Sequence, residues 1–169
     1  CLIFGFGYMG KIRYHILRQH PAVHTITIVD PEADFSTAGI EGAVLRPGEP
    51  IPWGSCDAAF ICTPNNVTAD LCVEALRRCG RVFCEKPPGR HWEDFCKIAE
   101  TAAATPAHTL MFGFNHRLHP SIQAAQALIG SGGLGDILYI KGTYGKSGGL
   151  KYRQSWRSEG YRSEDHARR

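Results

Sequence analysis

The sequence contains no C-x-x-C pair, although it holds 7 cysteines and 8 histidines. Zinc sites and disulfide frameworks draw on paired cysteines, and no pair of histidines stands at ligand spacing beside such a pair, so no metal is expected. Cys62, Cys72, Cys84 and Cys96 sit inside apolar runs and read as buried, reduced thiols of an intracellular, cytoplasmic protein. No apolar run approaches the ~20 residues a membrane helix needs, so no membrane span is expected. Neither sign of charge is in large excess: 19 Lys+Arg against 16 Asp+Glu leave a formal +3, too little to imply a nucleic-acid partner. Internal repeats and low-complexity linkers are absent as well. What is present is a globular composition, 43% hydrophobic and 21% charged over 169 residues, enough for one ordinary domain and too little for two full ones.

The charge is unevenly placed. Residues 151–169 hold six Lys/Arg and three acids and so carry the whole +3. Residues 159–169 follow neither a helical nor a strand period. The chain opens on Cys1-Leu2-Ile3-Phe4, which is already strand-like. The expectation is a fragment with an atypical tail at 159–169, the product of a frameshift or a truncated gene.

Between the ends, strand and helix alternate. Cys1–Phe4 is a short apolar strand, and Met9, Ile12, Ile16 and Leu17 follow at helical spacing until His20-Pro21. His24–Val29, Asp57–Cys62, Arg81–Cys84 and Thr109–Phe114 read as strands. Asn66–Arg78, with Asn66 as N-cap, Trp92–Ala104 and Pro120–Ile129 read as helices. Trp92, Phe95, Phe112 and Phe114 are expected in the core; Trp53 and Trp156, if exposed in a fragment, would be liabilities and not sites. Continuous apolar strands separated by helices predict a doubly wound α/β domain with a parallel sheet. Ile137–Tyr144 alternates roughly at period two and reads as the first strand of a second, incomplete α+β domain. The expected organisation is a nucleotide-binding domain over 1–118, the start of a substrate domain over 119–158, and the tail.

Three strand ends carry chemistry. Gly5-Phe6-Gly7-Tyr8-Met9-Gly10 lies between a strand and a helix, the context in which G-x-G-x-x-G binds a dinucleotide. Gly5 permits the tight turn, Gly7 lets the backbone approach a pyrophosphate, and Gly10 lets helix and strand pack closely. The helix N-terminus offers N–H groups and partial positive charge to phosphates. Twenty residues beyond Gly10, Asp30 ends the next strand, where a carboxylate can accept the ribose hydroxyls. It also repels a 2′-phosphate, which favours NAD while leaving NADP possible. Glu85-Lys86-Pro87-Pro88 follows a strand end that would face the cofactor, and the Lys86 ammonium could polarise a substrate oxygen there. Thr63-Pro64-Asn65 follows another strand end, where its loop would cover the nicotinamide side.

Taken in order, FGFGYMG, IVDP, FICTPNNVTAD, FCEKPPG, GFNHRLHP and GGLGDILYIKGTYGKSG resemble the Gfo/Idh/MocA oxidoreductases over residues 1 to about 158. The resemblance implies a Rossmann domain, then an α/β domain with a large open sheet. It further implies NAD(P)-dependent oxidation of a sugar or cyclitol hydroxyl, or the reverse reduction, in a parent that is a homo-oligomer. By it, Lys86 is the catalytic-site lysine, Glu85 its motif neighbour, and Thr63, Pro64 and Asn65 the cofactor-covering loop. Asn115, His116 and Arg117 border the substrate. His116 stands where the family often has Arg, and Thr68 where a His often follows TPN. The family's spaced acid and histidine, its acid/base group, do not follow Ser155–Glu159. The alternative expectation is therefore a non-catalytic dinucleotide-binding module or regulator.

Overall fold

The computed structural model describes residues 1–31, 43–45, 48–143 and 145. The chain divides into two compact units that part between Gly113 and Phe114. In the first unit, six short strands build one parallel sheet: β1 (Leu2–Phe4), β2 (Thr27–Val29), β3 (Ala43–Leu45), β4 (Ala59–Ile61), β5 (Arg81–Cys84) and β6 (Thr109–Phe112). Their spatial order is β3-β2-β1-β4-β5-β6, the doubly wound order in which the direction of winding reverses between β1 and β4. Helices α1 (Tyr8–Arg18), α2 (Asn65–Arg78) and α3 (Trp92–Ala104) form the crossovers.

At the centre of the sheet both faces are buried, which is why β1 is apolar at every position instead of alternating; at the β6 edge Thr109 and Met111 are exposed. On one face Leu2, Phe4, Ala59, Ile61, Val82 and Cys84 pack with Ala69, Cys72, Ala75 and Leu76 of α2 and Ile98 of α3. On the other, Ile3 and Ile28 pack with Phe6, Ile26 and Tyr14 of α1. Successive residues of β1 thus feed opposite cores, as the pleat requires.

Register decides where the strands end. Phe4 pairs with Val29 on one side and Ile61 on the other; Ile61 pairs with Cys84, and Cys84 with Phe112. The ladder runs one residue further, through Gly5 N–H to Val29 O at 2.9 Å, Cys62 N–H to Phe4 O at 2.7 Å, Glu85 N–H to Ile61 O at 2.9 Å and Gly113 N–H to Cys84 O at 2.8 Å. Gly5, Asp30, Cys62, Glu85 and Gly113 therefore form one row along the carboxyl edge of the sheet.

The structure departs from the sequence expectations at several points. β3 was not anticipated, and the strands expected at 24–29, 57–62 and 109–114 are shorter. α2 starts at Asn65 with Pro64 as its N-cap, instead of being capped by Asn66. Trp92 is 70% and Phe114 49% exposed, whereas Trp53 is partly buried, stacked on Phe4 with ring centroids 5.3 Å apart. Trp92 is the first residue of α3, and its ring lies on Phe95 with the other face open.

The second unit holds a 3-10 turn, Asn115–Leu118, and α4 (Pro120–Gly130). Pro120 opens α4, where its missing N–H costs nothing, and the His119 side chain accepts from Ser121 N–H. The expected strand over 137–144 is not formed at 137–143; Tyr144 lies outside the described residues. A strand exists only against a partner, and no strand of this unit is available to it among the described residues. Leu138, Tyr139 and Ile140 are 90%, 82% and 82% exposed. The tail at 159–169 also lies outside the described residues.

The glycines make this packing testable. A Cβ on Gly10 would stand 2.0 Å from Gly5 O, a backbone atom that cannot swing away, whereas one on Gly7 would meet nothing within 4 Å. Gly10→Ala is expected to melt at least ~10 °C below the parent, or to lose its cooperative transition. Gly7→Ala should stay within ~5 °C, reflecting a weaker helix cap. Thermal melts followed by circular dichroism check both.

Candidate cofactor site

The turn after β1 is tight. Gly5 has φ +84°, and a Cβ there would lie 2.7 Å from Cys62 O, so only glycine fits both the backbone and the space. Gly7 then lies exposed as the N-cap of α1, with no side chain capping it and no acid in the first turn. The first N–H groups of a helix have no partner within it, so Tyr8, Met9 and Gly10 present donors and the positive end of the helix dipole to open space above Gly7. This is a cradle that a Cβ at Gly7 would partly fill, and it fits a pyrophosphate.

Asp30 stands beside the cradle. The Phe6 N–H donates to its Oδ2 at 2.5 Å, which ties the end of β2 to the glycine loop. A carboxylate has about four lone-pair positions, so a ribose hydroxyl can be accepted alongside this bond. Of the other loop residues, Phe6 is 3% exposed with its ring edge-on to Tyr14, so only its backbone can serve a ligand. Tyr8 is 80% exposed.

The Thr63-Pro64-Asn65 turn ends β4 and begins α2. It is held by Thr68, whose hydroxyl lies 3.1 Å from Thr63 O, 3.0 Å from Pro64 O and 3.0 Å from Thr63 Oγ1. Thr68 is 1% exposed; at this position it is a brace for the loop and offers nothing to a ligand. Cys62, just before the loop, is pushed up to about 12 by burial and then by the nearby Glu85 charge, so it stays a neutral thiol.

Beyond β5, Glu85 and Lys86 part company. Glu85 is 7% exposed, and its carboxylate turns inward to Arg13 of α1, whose Nη2 and Nε both donate to Oε1. The Arg13 guanidinium also lies over the Phe83 ring, 4.5 Å from its centroid. Gly113 makes room for the pair, since a Cβ there would sit 2.7 Å from Glu85 Oε2. Lys86 is exposed at the same edge, and its bond to Pro87 is cis. Arg13 is the residue that sequence reasoning missed. Its position, three residues after Gly10 on the helix that leaves the glycine loop, was the available signal.

Gly5, Gly7, Gly10, Asp30, Thr63, Pro64, Asn65, Glu85 and Lys86 thus lie along one edge of one unit, flanking the β1/β4 switch point. Asn115, His116 and Arg117 are exposed on the 3-10 turn of the second unit. Among the described residues, no group of three or more His, Cys, Asp or Glu could hold a metal ion.

The fold and its glycine loop define a Rossmann-type dinucleotide-binding domain. Residues 1–114 match the model of the Gfo/Idh/MocA oxidoreductase family, described as an NAD-binding Rossmann fold. The chain belongs to that family. It is 31% identical over 139 residues to inositol 2-dehydrogenase of Rhizobium meliloti strain 1021, covering 80% of this chain and 42% of that protein. It is 27% identical over 142 residues to the rhizopine catabolism protein MocA of Rhizobium meliloti, covering 82% and 44%. Among solved structures, the fold superposes on scyllo-inositol dehydrogenase of Lactobacillus casei with bound NAD(H) and scyllo-inositol. The TM-score is 0.65 at 22% identity, covering 80% of this chain and 42% of that one. The chain spans about two fifths of the length of the curated relatives it matches.

The buried ion pair gives an asymmetric expectation. Arg13→Met strands a carboxylate that is 8% exposed and should lower unfolding free energy by about 2–3 kcal/mol, less than a wholly buried pair because Arg13 is 23% exposed. Glu85→Gln keeps an acceptor of the same shape and should cost about half as much. Urea denaturation of both variants checks the order.

Proposed function

We propose that this chain is the cofactor-binding portion of an NAD-preferring dehydrogenase acting on a secondary hydroxyl of a sugar or cyclitol. The observation that carries the reading is Asp30. Its carboxylate is held at the glycine loop by the Phe6 N–H, which supports a reading in which it accepts the ribose hydroxyls and opposes a 2′-phosphate. Family membership and the inositol dehydrogenases among the relatives support the substrate class.

Bound NAD would supply the two-electron chemistry. Tyr8, Met9 and Gly10 N–H groups would hold the pyrophosphate at the start of α1, with Gly7 permitting close approach. Thr63, Pro64 and Asn65, braced by Thr68, would border the nicotinamide end. Lys86, exposed beside it, would donate a hydrogen bond to the reacting oxygen of the substrate and stabilise negative charge there. Glu85 would not touch substrate; it would hold the strand end that presents Lys86. Asn115, His116 and Arg117 are assigned to the substrate side, and residues 119–158 to the start of a substrate domain.

The reading is tested by titrating the purified chain with NADH and NADPH and following nicotinamide fluorescence. NADH should bind at least ~10-fold more tightly, and Asp30→Ala should bring the two affinities together, a loss of about 1.4 kcal/mol of discrimination. Equal affinities in the parent chain would overturn the assignment of Asp30. In a gene product that turns over a cyclitol, Lys86→Met should keep NADH affinity within ~3-fold and lower kcat at least ~100-fold. Tight NADH binding without turnover by any longer product would favour the regulator reading instead.

A further inference from the structure

The opposite edge of the sheet carries a second arrangement. Cys56 closes the 3-10 turn Trp53–Ser55, with its N–H on Trp53 O at 3.1 Å, and leads into β4. Cys79 ends α2, with its N–H on Ala75 O at 2.8 Å, and leads into β5. β4 and β5 are parallel neighbours in which Ala59 pairs with Val82. Each cysteine stands three residues before its member of that pair, so the strand register itself sets them opposite one another. Their sulfurs are 2.8 Å apart, and Cys79 Sγ lies a further 3.2 Å from Cys56 O. Cys79 is 1% exposed, while Cys56 is reachable from solvent.

We propose that Cys56 and Cys79 are an oxidisable dithiol that closes to a disulfide with a low-molecular-weight disulfide as oxidant. The accessible Cys56 thiolate attacks one sulfur of the oxidant, forms a mixed disulfide and expels one thiolate. Cys79 then attacks the Cys56 sulfur and expels the second. Two electrons pass from the protein thiols to the oxidant, and their two protons end on the two small thiols released. The bond joins the end of α2 to the entry of β4, on the edge away from the glycine loop.

Two features set how the reaction runs. Burial, then the hydrogen bond to Cys79, pushes the Cys56 thiol up to about 12; the Cys1 ammonium acts in the other direction. Oxidation is therefore slow at neutral pH and accelerates as the thiolate fraction rises, about tenfold per pH unit. The neighbouring pair Cys72 and Cys84 is 0% exposed at both sulfur-bearing residues, so the oxidant has no direct path to it.

The test incubates the full chain with oxidised glutathione at pH 8.5, quenches with N-ethylmaleimide and measures intact mass. A monomer carrying five N-ethylmaleimide groups on its 7 cysteines after denaturation is expected. Cys79 falls alone on the tryptic peptide 79–81, which should travel joined to peptide 19–77 without reductant and separate with it. That long peptide also holds Cys62 and Cys72, so Cys56→Ser must abolish the link. The oxidised chain should melt about 5 °C higher than the reduced one. A link that survives in Cys56→Ser overturns the proposal, as does retention of seven free thiols or a mixed disulfide on Cys56 that never resolves. Because the parent chain is read by peptide mass, the test holds even if the variant folds poorly.

Discussion

The crossing of α1 over the end of β1 is so close that neither Gly5 nor Gly10 has room for a Cβ: one would meet the Cys62 carbonyl, the other the Gly5 carbonyl. Everything else on the carboxyl edge takes its place from that crossing. It directs the first N–H groups of α1 across the switch point, brings Tyr14 down onto Ile3 and Ile28, and swings Arg13 toward the end of β5. A helix that stood one side chain further away would still cover the sheet, but it could not deliver these three groups together. The packing requirement is met by the absence of Cβ atoms at Gly5 and Gly10.

The edge then solves a charge problem. A carboxylate as buried as Glu85 is costly without a partner. Here it receives two donors from one guanidinium, whose other face rests on the Phe83 ring. Glu85 is thereby paired with Arg13 on its inner side, while the adjacent Lys86 is exposed. A neighbouring turn follows the same logic with neutral groups. The Thr68 hydroxyl ties the first turn of α2 to the Thr63-Pro64 loop.

Much of this was legible in the sequence because it is local. The glycine loop, the helices at 65–78 and 92–104, and the strands before them announce themselves through spacing, apolar runs and breakers within a dozen residues. What escaped is what depends on distant partners. β3 is three residues long, too short to show a period, and exists because β2 offers it an edge. The Arg13–Glu85 pair spans 72 positions, so the place of Arg13 after the glycine loop does not by itself name its partner. The alternation over 137–143 forms no strand for the converse reason: among the described residues of its unit no neighbouring strand offers it bonds. Trp92 shows the limit of hydrophobicity as a guide, since an aromatic at a helix start can stack on one ring and leave its other face wet.

The ion pair also bears on how such a domain can be recombined in evolution. Under the proposed reading, cofactor preference resides before residue 31 and the reacting lysine beyond residue 59, on opposite sides of the β1/β4 seam, as if the two were separable cassettes. Arg13 and Glu85 sew the cassettes together. A chimera joining the first half of one relative to the second half of another would inherit an arginine and a carboxylate chosen independently. Where they failed to match, the hybrid would carry an orphaned charge beneath its own catalytic edge, so electrostatics adds to the shared core in holding the two sides of the seam in step.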